Sequence, residues 1–274
     1  MLLRAVTELP CLPKRIVSLV PSQTLLLHYL GLEAETVGIT KFCIHPESWF
    51  RSKTRIGGTK NIHPEIIDRL QPDLIIANHE ENVKEQVEAL AERYPVWVSD
   101  VRNLASALDM IRDIGRLTGT STGAGELVNG ISRGFEGLEA MRATLPSPLR
   151  TTYLIWKDPY MTVGGDTFIH DMLQQCGLHN IFGGNMRYPE ITIHQLKEAG
   201  CELLLLSSEP YPFKEKHIVE LQSQLPATKI VLINGEMFSW YGSTLLEAPG
   251  YFGELMKGLG GLGDANTTLN RGKY

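Results

Sequence analysis

Slid against itself by about 129 residues, this 274-residue chain meets its own pattern. Residues 62–81 read IHPEIIDRLQPDLIIANHEE, and residues 191–210 read ITIHQLKEAGCELLLLSSEP. Each segment predicts a short amphipathic helix, a turn, and a fully apolar strand that ends in polar residues. Just upstream, Ile56-Gly57-Gly58 in one half answers Phe182-Gly183-Gly184 in the other. The chain therefore carries two copies of one α/β unit, and its length and 43% apolar content suffice to give each a core of its own.

Short β-branched runs alternate with longer segments of helical period, the pattern of parallel sheets covered by helices. Strands are expected at 15–19, 36–40, 73–77 and 96–98, then at 152–156, 202–206 and 230–234. Val83, Val87, Leu90 and Ala91 mark one helical stripe, and Phe168, Ile169, Met172, Leu173 and Cys176 another. Between the copies, Leu127, Ile131, Phe135, Leu138 and Met141 recur at three- and four-residue steps, so 122–145 reads as one helix ended by Pro146 and Pro148. At 1.5 Å per residue it would be roughly 36 Å long, enough to join two lobes as a stiff hinge. Gly130, Gly134 and Gly137 weaken it, so packing must support it. The fold class is α/β, with two Rossmann-like lobes of parallel sheet at 1–121 and 146–274 joined by that helix.

Lys and Arg total 26 against 31 Asp and Glu, a net charge of -5 that supplies no footprint for nucleic acid or an acidic membrane. Cys11, Cys43, Cys176 and Cys201 form no CxxC pair, which argues for scattered thiols rather than a zinc or redox motif. No stretch reaches the roughly 20 apolar residues of a membrane span. The segment after Met1 has no apolar leader core, which predicts a cytoplasmic protein if Met1 is the native start and a periplasmic one if a leader was removed.

In parallel α/β sheets ligands bind beyond the carboxyl ends of the strands. The loops expected there hold Phe42 and His45, then His79 with Glu80 and Glu81, then Trp156, Lys157 and Tyr160, then Glu209, and finally Phe238, Trp240 and Tyr241. Trp156 and Tyr160 suit a flat ligand and Lys157 an anionic tail, or Trp156 caps the core and Lys157 is solvated. Three large rings at 238–241 read as a recognition cluster. Arg187 and Tyr188 form a rim in which Arg187 could clamp an anion. Glu209, the repeat mate of Glu80, either faces the ligand or starts the next helix. His45, His63 and His79 match no compact metal-ligand spacing, and whether any metal is ligated directly stays open. The glycine pairs lack a phosphate-loop pattern and read as tight turns.

The runs RIVSLVPS at 15–22, GITKFCIHP at 38–46, RIGGTKN at 55–61 and PDLIIAN at 72–78 resemble the class III periplasmic binding proteins of cobalamin, haem and iron-siderophore importers, as do DMLQQCGLHNIF at 171–182 and YPEI at 188–191. The resemblance spans about 12–259 and leans to the cobalamin-binding branch. It implies a ligand held between two lobes, no covalently bound cofactor, and docking on an importer permease through an acidic residue of each lobe. The first such position falls on Glu65 and the second on His194, a departure from the carboxylate expected there. The aromatic ligand wall of the cobalamin receptors falls on Phe42, which keeps the ring, and on Thr59, Asn78 and Met237, which do not; Lys60 adjoins that wall. The first reading is thus a substrate-binding protein for a corrinoid, haem or iron-siderophore chelate, serving an ABC importer. A cytoplasmic sensor of the same fold is the second reading. An enzyme is the third, although no Ser-His-Asp order or nucleophile elbow is visible.

Overall fold

The computed structural model describes residues 1–3, 5–143 and 147–260. Two compact units emerge. The first comprises Met1–Val101, Ala105–Ile131 and Trp240–Leu246, and the second Arg102–Leu104, Ser132–Ser239 and the segment from Glu247 onward. This differs from a division by sequence order, because Trp240–Leu246 returns to the N-terminal unit. The return is made at Gly242 (φ 110°), where the backbone presses against Leu26 and Ser22, so a Cβ there would stand 3.3 Å from each.

Six parallel strands form the sheet of the first unit: β1 (Leu2–Leu3), β2 (Ile16–Ser18), β3 (Thr36–Ile39), β4 (Thr54–Arg55), β5 (Leu74–Asn78) and β6 (Val96–Ser99), in the order β1-β6-β5-β2-β3-β4. The helices α1 (Pro21–Tyr29), α2 (Glu47–Ser52), α3 (Pro64–Leu70), α4 (Lys84–Ala91) and α5 (Leu104–Thr118) connect them or follow them. In the second unit β7 (Arg150–Leu154), β9 (His179–Asn180), β11 (Leu203–Ser207) and β12 (Lys229–Ile233) form a parallel sheet in the order β12-β11-β7-β9, while β8 (Tyr160–Met161) and β10 (Glu190–Ile191) pair antiparallel. Helices α7 (Phe168–Gln175), α8 (Ile193–Glu198), α9 (Glu215–Gln224), α10 (Glu236–Ser239) and α11 (Ala248–Gly260) belong to it. The central strands β5 and β11 are buried at every residue, as parallel strands covered on both faces must be.

One continuous helix, α6 (Ser121–Arg142), holds the boundary between the units. Of the stripe read from the sequence, Leu127, Ile131, Phe135 and Leu138 are buried and Met141 is half-buried; the expected end at 144–146 lies outside the described residues. Gly134 has a packing reason: a Cβ there would stand 2.9 Å from Pro249 of α11.

The repeat recurs as geometry. Leu74–Asn78 and Leu203–Ser207 are the same five positions under the 129-residue shift. Ahead of each strand stands a carboxylate locked to an arginine. The Asp73 carboxylate accepts the backbone N–H groups of Lys14 and Arg15, at 2.8 Å each, while Asp73 N–H donates to the Arg15 carbonyl (3.0 Å) and the Arg15 Nε donates to the last carbonyl of α3, Leu70 (2.7 Å). In the second unit Glu202 accepts from the Arg150 N–H (2.8 Å), Glu202 N–H donates to the Arg150 carbonyl (2.9 Å), and the Arg150 guanidinium donates to Ala199, which ends α8 (2.6 and 3.1 Å). A guanidinium at a helix C-terminus also meets the negative end of the helix dipole. The two clamps give matching registers, Ile16 beside Leu74 and Thr151 beside Leu203.

Between helix and strand each copy needs one left-handed residue, Gln71 (φ 46°) in the first and Gly200 (φ 60°) in the second. An L side chain is disfavoured in that region by roughly 1–2 kcal/mol. Gln71→Gly is therefore expected to raise unfolding free energy by about 0.5–1 kcal/mol and Gly200→Ala to lower it by about 1 kcal/mol in a denaturant titration. Equal midpoints for wild type and Gly200→Ala would refute the structural equivalence of the two turns.

Candidate functional site

In the first unit the residues that leave the carboxyl ends of the strands converge. The Asn78 side chain at the end of β5 is spent on structure: its Oδ1 accepts the N–H groups of Glu80 and Glu81 (2.9 and 3.1 Å), and its Nδ2 donates to the Ser99 carbonyl and hydroxyl (3.1 and 3.0 Å). Its repeat mate Ser207 closes a similar turn, with its hydroxyl donating to the Glu209 carbonyl (2.5 Å) and lying 3.0 Å from the Tyr153 hydroxyl. The Asn78 turn leaves His79 exposed and turns Glu81 into a desolvated position. Burial pushes the Glu81 carboxyl up, Lys60 opposes the shift, and Glu80 adds to it. Lys60 itself donates to the Glu80 carbonyl (2.5 Å), and the Thr59 carbonyl accepts from Asn82 (3.1 Å). Asn78 is buried with its side chain engaged by the backbone, so it shapes the loop, and Thr59 beside it is buried with its carbonyl held by the Asn82 side chain.

Beyond β3, Phe42 and Ile44 are about half exposed, at 50% and 46%. The Lys41 ammonium sits 5.1 Å from the Phe42 ring centre, and Gly58 lets the backbone lie under that ring, where a Cβ would come within 3.1 Å. His45 packs edge-on against Trp240, 5.7 Å between ring centres. Trp240 and Tyr241 are buried in this first unit, and the Tyr241 hydroxyl is pushed far up by burial and by the neighbouring Glu81 and Glu80. Cys43 is buried between the hydroxyls of Thr24 (3.1 Å) and Thr40 (3.2 Å), with its thiol pushed up by burial, and the described cysteines are all free.

In the second unit Trp156 follows β7 with 41% of its surface exposed and stands edge-on to Tyr211, 5.7 Å away. Tyr211 continues the aromatic wall to Phe213 and His217, and Tyr160 is half-buried beside it. Lys157 is not a free cation for an anionic tail: its ammonium is bound to both carboxylate oxygens of Glu220, 2.7 and 2.5 Å. Arg187, left-handed at φ 58°, is tied to Asp166 through its N–H (2.6 Å) and more distantly through its guanidinium (4.0 Å), which also lies 5.9 Å from the Tyr188 ring centre. Glu209 accepts from the Ser239 hydroxyl (2.7 Å). Phe238, expected to contact ligand, has no exposed surface; Tyr153, Tyr251 and Phe252 surround it, and it builds the core. Trp156 and Trp240 both fall within the lobe expected at 146–274, but Trp240 belongs to the first unit and Trp156 to the second.

Among the described residues no group of three His, Cys, Asp or Glu is placed to hold a metal ion. His63 is engaged with Glu65 at the start of α3 (3.3 Å). Glu65 and its mate His194 are both strongly exposed, and His194 lies 3.2 Å from Glu198, a carboxylate one turn further along α8. Sequence reasoning singled out neither Glu220 nor Asp166, which neutralise Lys157 and Arg187 from distant parts of the chain and leave no local signal.

Against known proteins, the family described as periplasmic binding protein matches residues 16–229. The chain is 28% identical over 188 residues to the uncharacterised ABC transporter substrate-binding lipoprotein YvrC of Bacillus subtilis, an alignment covering 66% of this chain and 59% of that protein. It is 25% identical over 199 residues to the vitamin B12-binding protein of Vibrio campbellii, covering 71% and 70%. The crystal structure of the periplasmic vitamin B12 binding protein BtuF of Vibrio cholerae superposes with a TM-score of 0.77 at 20% identity, over 89% of this chain and 97% of that one.

Glu81 gives a pH test. Its folded carboxyl binds a proton more tightly than in the unfolded chain, so the folded state holds more protons and stability falls as pH rises from the ordinary value of 4.5 through the raised one. Glu81→Gln should therefore unfold at the same denaturant concentration as wild type at pH 4 and at a higher one at pH 8. A variant equally or less stable at pH 8 would contradict a desolvated Glu81.

Proposed function

The chain belongs to the periplasmic binding protein family, and from that premise we propose that it binds a corrinoid or related metal chelate and delivers it to an ABC importer. It is a binding protein, not an enzyme. The observation that carries the ligand class is Trp156, an indole left 41% exposed at the carboxyl end of β7 with Tyr211 edge-on behind it. Removing so large an apolar surface from water is favourable, and a flat macrocycle is a shape that does so face to face. In the first unit Phe42 and Ile44 offer a second exposed apolar surface at the equivalent end of its sheet, with His45 beside them. In the second unit Lys157 is paired with Glu220 and Arg187 with Asp166, which suits a bulky ligand of low charge there better than a small anion. The relative named for vitamin B12, 25% identical over 199 residues, supports the corrinoid as the first choice.

Delivery to a permease rests on α3 and α8. Glu65 presents an exposed carboxylate on the first, and on the second Glu198 supplies a carboxylate beside His194. Acting with an importer would place the protein outside the cytoplasmic membrane; among the described residues no helix is long and apolar enough to cross one.

Titration of the full chain with cyanocobalamin, hemin and a ferric siderophore is expected to quench indole emission saturably with at least one of them. Trp156→Ala should weaken that binding by about ten- to a hundredfold, equivalent to roughly 1–3 kcal/mol, with little change in melting temperature. Phe238→Ala should do the reverse, costing about 3–5 kcal/mol of stability while sparing affinity in the folded fraction. No saturable quenching by any of the three would refute the ligand class. Glu65→Arg is expected to abolish complex formation with the cognate importer and leave ligand affinity intact; a wild-type chain that binds its ligand but no importer of its host would favour a sensor of the same fold.

A further inference from the structure

Beside the edge strand β9 of the second unit lies a cavity of about 420 Å³, lined by His170, Gln174, Leu178, His179, Ile181 and Gly184 among others. None of these residues is among the chelate-binding positions above. Two imidazoles opening on one cavity invite a metal ion, but Asn180 decides against it. Asn180 is buried, and its Oδ1 accepts the backbone N–H of Phe182 (3.1 Å) while its Nδ2 donates to the Val163 carbonyl (2.9 Å) and lies 3.1 Å from Nδ1 of His170. The two backbone partners fix which way the amide points. Reversed, it would set oxygen against the Val163 carbonyl and NH2 against the Phe182 N–H, losing both bonds.

An N–H donor facing Nδ1 requires a lone pair there, so the neutral imidazole carries its proton on Nε2. A metal-binding histidine has the opposite arrangement, with the far nitrogen donating to a carbonyl or carboxylate and the near one free to ligate. His170 is kept neutral by burial, which holds its pKa below the usual value. Gly183 seats the ring, since a Cβ there would stand 3.0 Å from Cε1. The charged or titratable groups acting on the ring are Asp171, His179 and Asp166, and the two carboxylates disfavour an anion at the same place. What remains is an uncharged acceptor. We propose that this cavity is a second binding site, for a small uncharged molecule whose amide or carbonyl oxygen accepts a hydrogen bond from Nε2 of His170, with Leu178 and Ile181 against its apolar side.

The test uses the full chain labelled with 15N-histidine and 15N-glycine. Long-range 1H–15N spectra at neutral pH should show His170 protonated on Nε2 and not on Nδ1. Adding 2-pyrrolidone should shift His170 Nε2 and the Gly183 and Gly184 amides saturably. Gly184→Val should abolish the shifts, because a Cβ at Gly184 meets nothing within 4 Å and its backbone is not left-handed, so the fold accepts the side chain that fills the cavity. Sodium acetate and zinc chloride form separate arms, each expected to leave His170 unchanged. A proton on Nδ1, the absence of a saturable shift with 2-pyrrolidone, tighter binding of acetate, or zinc ligation at His170 would each overturn the proposal. The tautomer is read on wild type, so the test stands even if the valine variant does not fold.

Discussion

Each unit is organised around one reciprocal contact, in which a carboxylate and an arginine tie the start of one parallel strand to the start of its neighbour and to the end of the intervening helix. Asp73 with Arg15 and Glu202 with Arg150 make it at equivalent positions and in the same directions. Parallel strands buried on both faces have no polar edge to set their register, and a slip by one residue would turn every side chain to the opposite face. A hydrogen-bonded ring of backbone and side-chain groups at the entrance to the sheet supplies that missing specification.

The register then decides what emerges at the other end. Five residues beyond each clamp come Asn78 and Ser207, whose side chains close the turns that aim the next residues. The first unit uses its turn to bring Glu81 near Tyr241 and Lys60, and the second to bring Glu209 to Ser239. Function is thus separated from fold by only a few residues along the chain. The buried polar side chains serve the turn, while rings such as Phe42 and Trp156 stay exposed, as the proposed ligand surface requires.

Much of this was legible beforehand. Short apolar and β-branched runs placed all seven expected strands to within a residue or two, and the central strands, covered on both faces, write themselves as runs of Leu and Ile. The repeat was visible for the same reason. The clamps were not, since their arginines lie 135 residues apart rather than 129 and an isolated arginine carries no local pattern. Nor could periodicity reveal that Trp240–Leu246 rejoins the first unit, that Lys157 meets Glu220 across 63 residues, or that Phe238 is enclosed by Tyr153 and Phe252. Those are long-range pairings, which sequence spacing does not encode. The aromatic loops were correctly seen as rich in rings, but which rings stay exposed depends on tertiary packing alone.

A binding protein built this way should answer its ligand at the carboxyl ends of its sheets and nowhere near the clamps. Peptide-resolved hydrogen exchange of the full chain, with and without a saturating chelate, reads this most directly. The account expects slower exchange at 41–46, 78–82, 156–160 and 207–211, with no change at 14–16, 71–74, 149–151 and 200–203. Protection confined to the latter segments, or spread evenly over both ends of the sheets, would contradict it.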